Sequence, residues 1–146
     1  MQASPTFTPL AFAISFVSDH LNITVSESVD HRIFWETDAI AGPGDYATFE
    51  LSHELAGHEP VLISKRLMCW EGQTITQKDL EFFCDGESLG RAKTETLKGD
   101  PLPLFSYSGV VPAGKAWAYG SHPDSFDSRY WGFVDVSKTK RLKAIF

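Results

Sequence analysis

The sequence predicts a mainly β protein of coiled antiparallel sheets, with helices few and no longer than two or three turns. Three observations carry this. Short runs that alternate in polarity, or are rich in β-branched and aromatic residues, recur along the chain. Turn signals separate them at close intervals. Amphipathic stretches with a helical period are scarce.

The strand-like runs come in order as "RIFWET" (Arg32–Thr37), "YATFELS" (Tyr46–Ser52), "PVLISKRLMCW" (Pro60–Trp70), "LEFFC" (Leu80–Cys84), "KAWAYG" (Lys115–Gly120) and "YWGFVDV" (Tyr130–Val136). Between them stand "AGPGD", "EGQ", "CDG", "KGDP" and "PAG". "FFCDGESLG" reads as a hairpin, because Asp85-Gly86 supplies the positive φ values a two-residue turn requires. No internal repeat or low-complexity segment interrupts the pattern.

The chain of 146 residues has 42% hydrophobic and 22% charged residues, enough for one globular domain with a real core. Its formal net charge of −6 argues against nucleic acid as the main partner. The basic exception is the C-terminal "KTKRLK" (Lys138–Lys143), which reads as a solvated last strand or tail, with contact to anionic lipid as the rival. The apolar run Leu10–Val17 is too short to span a bilayer and lacks the basic flank of a signal peptide. Residues 1–21 therefore read as an N-terminal segment, a short or remnant membrane anchor, ahead of a domain over residues 22–146.

Two cysteines, Cys69 and Cys84, lie fifteen residues apart and match no zinc framework. In an oxidising compartment they can staple neighbouring strands; in the cytosol they would be buried thiols. The histidines of "HELAGH", His53 and His58, are five apart with a glycine between them. A helical zinc site needs them four apart, and His20, His31 and His122 complete no ligand set. No metal or other cofactor is expected.

Two residue patterns bear on chemistry. Read with period two, "PVLISKRLMCW" places Val61, Ile63, Lys65, Leu67 and Cys69 on one face. A lysine in an apolar row either snorkels its ammonium to water or is desolvated into a neutral base. Holding lysine neutral near pH 7 costs on the order of 4–5 kcal/mol, an amount that burial can supply. In "NITVSESVDHRIFW" the hydroxyls of Thr24, Ser26 and Ser28 share one side of an extended segment, as an exposed strand face or as the place of a nucleophile.

Together these stretches resemble the signal peptidase I superfamily, in the conjugative-transfer branch typified by TraF, the pilin-processing peptidases of conjugative plasmids. "SVDHRIFW" resembles the nucleophile box, "PGDYATF" the segment after it, and "ISKRLMCWEGQTI" the box of the general-base lysine. "VVPAGKAWAYGSHPDSFDSRYWGFV" is similar to the final box, whose pattern is "VPxGxxxxxG…SxDSRYxG". The resemblance implies coiled sheets of the signal-peptidase/LexA-like type and a serine–lysine dyad of Ser28 and Lys65. It implies an oxyanion hole from the Ser28 backbone N–H helped by Ser26, with Ser125 orienting the lysine and Asp127 and Arg129 paired in support.

The same resemblance implies a membrane-associated serine endopeptidase on the periplasmic face of a bacterial inner membrane. Its implied substrate is a precursor pilin or other secreted protein, its implied partners the membrane surface and the conjugative transfer (type IV secretion) machinery. Cleavage of a leader or tail, with or without cyclisation, uses one acyl-enzyme. In that oxidising compartment a Cys69–Cys84 disulfide is expected. Three departures stand out: Asp30 replaces the box's proline, Gly120-Ser121-His122 lacks the aspartate of the housekeeping enzymes, and the long N-terminal membrane helix is absent or reduced. The missing aspartate fits the conjugative branch, whereas Asp30 and the reduced N-terminal helix support a competing reading, an inactive assembly factor of the transfer apparatus on the same fold. A self-cleaving repressor lacks support, since there is no DNA-binding head or basic surface.

Overall fold

A computed structural model describes residues 13–15, 21–24 and 33–144. The first strands are β1 (Ala13–Ser15), β2 (Leu21–Thr24), β3 (Ile33–Glu36), β4 (Tyr46–Leu51) and β5 (Val61–Trp70). Then come β6 (Thr74–Lys78), β7 (Glu81–Cys84), β8 (Glu87–Arg91), β9 (Gly109–Val110) and β10 (Lys115–Tyr119). The four-residue helix α1 (Ser128–Trp131), β11 (Val134–Asp135) and β12 (Lys140–Ala144) complete the order. All strand pairs are antiparallel, in an eight-stranded sheet ordered β1-β2-β3-β12-β4-β5-β10-β11 and a four-stranded sheet ordered β8-β7-β6-β9. The larger sheet coils far enough for β1 to approach β5. The fold is mainly β, as the runs and turns predict.

β5 is the longest strand and keeps the period read from its sequence. Ile63, Lys65, Leu67 and Cys69 are buried, whereas Leu62 is exposed and Arg66 and Met68 are half-buried. Ser64 departs from the alternation, since it is fully buried and its Oγ meets no hydrogen-bond partner among the described residues. A bulge bends the strand near its end: Trp117 of β10 lies opposite Cys69, but Ala118 lies opposite Leu67, so Met68 is the extra residue.

That bulge lets one strand serve two cores. Leu67 packs with Ala47, Phe49, Ile63, Ala116 and Ala118. Cys69 packs with Ile75, Phe82, Leu89 and Trp117 in the second core, toward the smaller sheet. β10 separates the two by alternation, with small alanines on one side and Trp117 on the other. The Trp117 ring lies 5.1 Å from Phe82 and 5.8 Å from Phe133, centroid to centroid. The Cys69–Cys84 disulfide joins β5 to β7 and so ties the two sheets together.

The Asp85-Gly86 turn forms as read, with φ of 48° and 90° at its two central residues. One other reading needs correction. "YWGFVDV" does not run as a strand: Tyr130 and Trp131 belong to α1, and only Val134–Asp135 is strand. Asp127 caps the helix by accepting from the Arg129 N–H, and this local bond outweighs the β preference of the aromatics. Of the two alternatives read for "KTKRLK", a solvated last strand or a tail, the structure shows the strand. β12 lies inside the larger sheet between β3 and β4, with Leu142 buried while Lys140, Arg141 and Lys143 face solvent. Among the described residues no helix is long and apolar enough to cross a membrane.

The disulfide closes a loop with a sequence separation of 15. Its loss should cost about 3 kcal/mol of unfolding free energy. Urea denaturation of the Cys69→Ala/Cys84→Ala variant should show this loss, and prior reduction of the wild type should weaken it in the same direction.

Candidate active site

The site begins with Lys65. β5 places it opposite Ala47 on the buried face, where 2% of its surface remains exposed. The ammonium does not snorkel to water. Instead Nζ donates to Ser125 Oγ at 2.8 Å. Burial is the largest influence on the amine and brings its pKa down to about 8. The Asp127 carboxylate acts in the opposite direction, and Arg129 adds to the lowering. At that value about a tenth of the lysine is neutral near pH 7, ready to accept a proton.

Ser125 is positioned by the loop that holds it. Its N–H donates to the His122 carbonyl at 3.0 Å, closing a turn whose Asp124 N–H donates in turn to His122 Nδ1. Two residues on, Asp127 is fully buried, and its two oxygens take four hydrogen bonds. Oδ1 accepts from Arg129 N at 3.1 Å and Arg129 Nε at 2.8 Å; Oδ2 accepts from Arg129 Nη2 at 3.0 Å and Gly120 N at 2.9 Å. The guanidinium thus meets the carboxylate in a planar, two-point pairing.

Arg129 also reaches beyond its partner. Nη2 donates to the Ser125 carbonyl at 3.2 Å and Nη1 to the Arg91 carbonyl at 3.0 Å. Burial works against its charge, yet the hydrogen bond and charge of Asp127 outweigh it and hold the guanidinium pKa above its ordinary value. A buried ion pair of this kind is a brace rather than a proton carrier: each guanidinium nitrogen is committed, and replacing one partner strands the other's charge.

The structure brings Lys65, Ser125, Asp127 and Arg129 into one connected set. Ser26 and Ser28 fall in residues 25–32, between β2 and β3, outside the described residues. Cys69 and Cys84 lie beside the site rather than in it, since Cys69 follows Lys65 on the same strand. Sequence reasoning missed Ser128, which an extended reading turns toward packing together with Phe126 and Tyr130. Its Oγ accepts from Ala118 N at 2.7 Å and pins α1 to β10. It also missed the backbone groups of Gly120 and Arg91, which have no sequence signal because any residue carries them. Asp127, a good N-cap residue, was the available signal for the helical turn.

His53 follows β4 in the chain. It caps a short 3₁₀ turn over Glu54–Ala56, accepting from Leu55 N at 3.1 Å through Nδ1, and its ring meets Phe126 edge-on at 5.2 Å. Among the described residues no group of three or more histidine, cysteine, aspartate or glutamate side chains gathers for a metal. Beside Arg129 an open groove of ≈ 670 Å³ runs past Gly90, Arg91, Lys93 and Gly120. Lys93 and Asp124 form an exposed ion pair at its rim.

The lowered amine makes stability depend on pH in a defined window. Lys65 ionises at about 8 in the folded chain and at 10.5 in the ordinary lysine environment. Between those values the unfolded chain binds more protons, so stability rises with pH there. Lys65→Met should abolish this contribution. The difference in unfolding free energy between variant and wild type should change by about 3 kcal/mol from pH 7 to pH 11, in favour of wild type as pH rises. Urea titrations across that range measure it.

A family model described as signal peptidase, peptidase S26, matches residues 11–141, which takes in Lys65, Ser125, Asp127 and Arg129 together with both sheets. A search of curated proteins returns no match. The match covers nearly the whole chain. The chain belongs to the signal peptidase S26 family of serine peptidases.

Proposed function

We propose that the protein is a serine endopeptidase working through a Ser28–Lys65 dyad, and that it processes a precursor protein, most specifically a conjugative pilin. The observation that carries the reading is the desolvated Lys65 amine aimed by Ser125 in a chain of this family. Neutral Lys65 takes the proton from Ser28 Oγ as that oxygen bonds to the scissile carbonyl carbon. The Ser28 backbone N–H and the Ser26 hydroxyl meet the oxyanion. The lysinium then returns the proton to the leaving amine as the C–N bond breaks, which leaves an acyl-enzyme on Ser28. Water, deprotonated by Lys65, resolves it to an acid. If the substrate's own N-terminal amine attacks instead, the product is cyclic and one water lighter.

The disulfide between the sheets fits an oxidising compartment, which supports placement at the periplasmic face of the inner membrane, beside the conjugative transfer machinery. Asp30 in place of the nucleophile box's proline favours the competing reading of a catalytically inactive assembly factor.

Co-expression with a precursor pilin, with mass spectrometry of the product, tests the proposal. Ser28→Ala and Lys65→Ala should each lower processing by about 10³-fold or more. Wild-type-like processing by either variant removes the dyad, and an inactive wild type favours the assembly factor. With active enzyme, kcat/KM should fall tenfold per pH unit below about 8, the value at which Lys65 gains its proton.

A further inference from the structure

Arg129 holds the Ser125 loop, and one position of the smaller sheet determines whether it can. Gly90 lies in β8, an edge strand. Glu81 of β7 pairs with Arg91 and Phe83 pairs with Ser88, so β8 carries an extra residue where β7 advances by two. That bulge places Gly90 at a φ of +94° and brings the Arg91 carbonyl to Arg129 Nη1. A Cβ built on Gly90 would lie 2.8 Å from Nη1 and 3.5 Å from Cζ of Arg129.

The tip of an arginine usually swings away from such a contact at little cost. Here it is held. Nε, Nη1 and Nη2 all donate, to Asp127, to the Arg91 carbonyl and to the Ser125 carbonyl. The Tyr130 ring lies 5.6 Å from Cζ, and the residue is 2% exposed. Any shift that clears a new methyl group therefore breaks one of these bonds. Gly86 in the same hairpin offers the contrast: its φ is +90°, but nothing lies within 4 Å of its Cβ position.

We propose that Gly90 is a positioning residue: by leaving empty the space of a side chain, it seats the Arg129 guanidinium on the edge of the smaller sheet and so fixes the Ser125 hydroxyl on Lys65. The catalytic consequence rests on the dyad proposed above; the mechanical linkage does not. A displaced guanidinium neutralises Asp127 less well and also withdraws its own positive charge from the amine. Both changes favour the protonated lysine.

Nuclear magnetic resonance of protein carrying ¹³Cε-lysine tracks the Lys65 amine directly, whether or not the chain is a peptidase. In Gly90→Ala the Lys65 titration midpoint should rise by about half a pH unit or more, and in active enzyme the acidic limb of kcat/KM should move with it while KM stays unchanged. Gly86→Ala introduces comparable backbone strain without touching Arg129. It should lower stability and leave the Lys65 midpoint where it is. In an Arg129→Lys background, adding Gly90→Ala should produce no further shift, because the guanidinium that the methyl group displaces is gone.

An unchanged Lys65 midpoint in Gly90→Ala, or an equal shift in Gly86→Ala, overturns the proposal. If Gly90→Ala fails to fold, the Arg129→Lys/Gly90→Ala variant decides. The proposal requires it to fold and to titrate like Arg129→Lys alone, and any additional shift refutes it. Absence of processing by the wild type, with the Lys65 shift present, would remove the peptidase reading and leave the positioning role standing.

Discussion

An amine kept out of water on the apolar face of β5 is the constraint to which the surroundings of the site answer. Desolvation alone would expel the charge or the side chain. A bare carboxylate beside Lys65 would solve the burial problem by forming a salt bridge, and in doing so would lock the proton on. Asp127 does act on the amine in that sense. Its oxygens, however, are taken by Arg129 and by the Gly120 N–H, and Arg129 pushes the amine the other way. Nζ donates to a neutral hydroxyl, Ser125 Oγ. It gives the amine a direction without fixing its charge. This division of labour, with the charge pair held apart and the hydroxyl in contact, lets burial dominate the lysine's pKa.

The two-core construction supplies the desolvation. Because β5 bulges at Met68, it closes one core with Leu67 and opens the other with Cys69, and Lys65 sits just before that change of side. β10 runs alongside with Ala116 and Ala118 facing one core, small enough for β5 and the loop after β10 to come close. The Ala118 N–H then reaches the Ser128 hydroxyl, and α1 is pinned against the strand that neighbours the lysine. Phe126 and Trp131 pack against both cores from the same part of the chain.

Much of this was legible in the sequence, for reasons that differ between parts. Period two along Val61–Trp70 put Lys65 among buried residues, since strand alternation is a local rule. Asp85-Gly86 announced its own turn for the same reason. The convergence of Ser125, Asp127 and Arg129 on Lys65 was legible only through resemblance, because residues sixty positions apart share no local pattern. α1 was misread because "RYWGFV" is rich in aromatics, while the signal against a strand is a single capping bond from Asp127. The place of β12 inside the larger sheet depends on long-range pairing with β3 and β4, to which a basic C-terminal run gives no clue. Gly90 was invisible in another sense. A glycine in a strand reads as a weak point, and only the neighbour that fills its missing side chain reveals why it is there.

The support loop is built from both near and distant bonds, and the difference explains where its position comes from. Asp127 caps α1, pairs with Arg129 and takes the Gly120 N–H, all within ten residues of sequence, so the loop specifies its own shape. Shape does not specify placement. Placement relative to the lysine needs ties to the rest of the chain, and they come from both sheets: Lys65 reaches Ser125 from β5, while the Arg91 carbonyl reaches Arg129 from β8. The Phe105 N–H adds a bond to the Arg129 carbonyl at 2.9 Å, and the Lys93 N–H adds one to the Tyr130 hydroxyl at 2.9 Å. If the sheets slid relative to one another, the loop would have to leave one of them. The disulfide prevents that slide at a point on β5 four residues from Lys65, by joining it to β7, the neighbour of β8. A covalent tie on one side of the lysine and a guanidinium on the other therefore fix the same degree of freedom. The distance from Nζ to Ser125 Oγ records how well the two sheets agree.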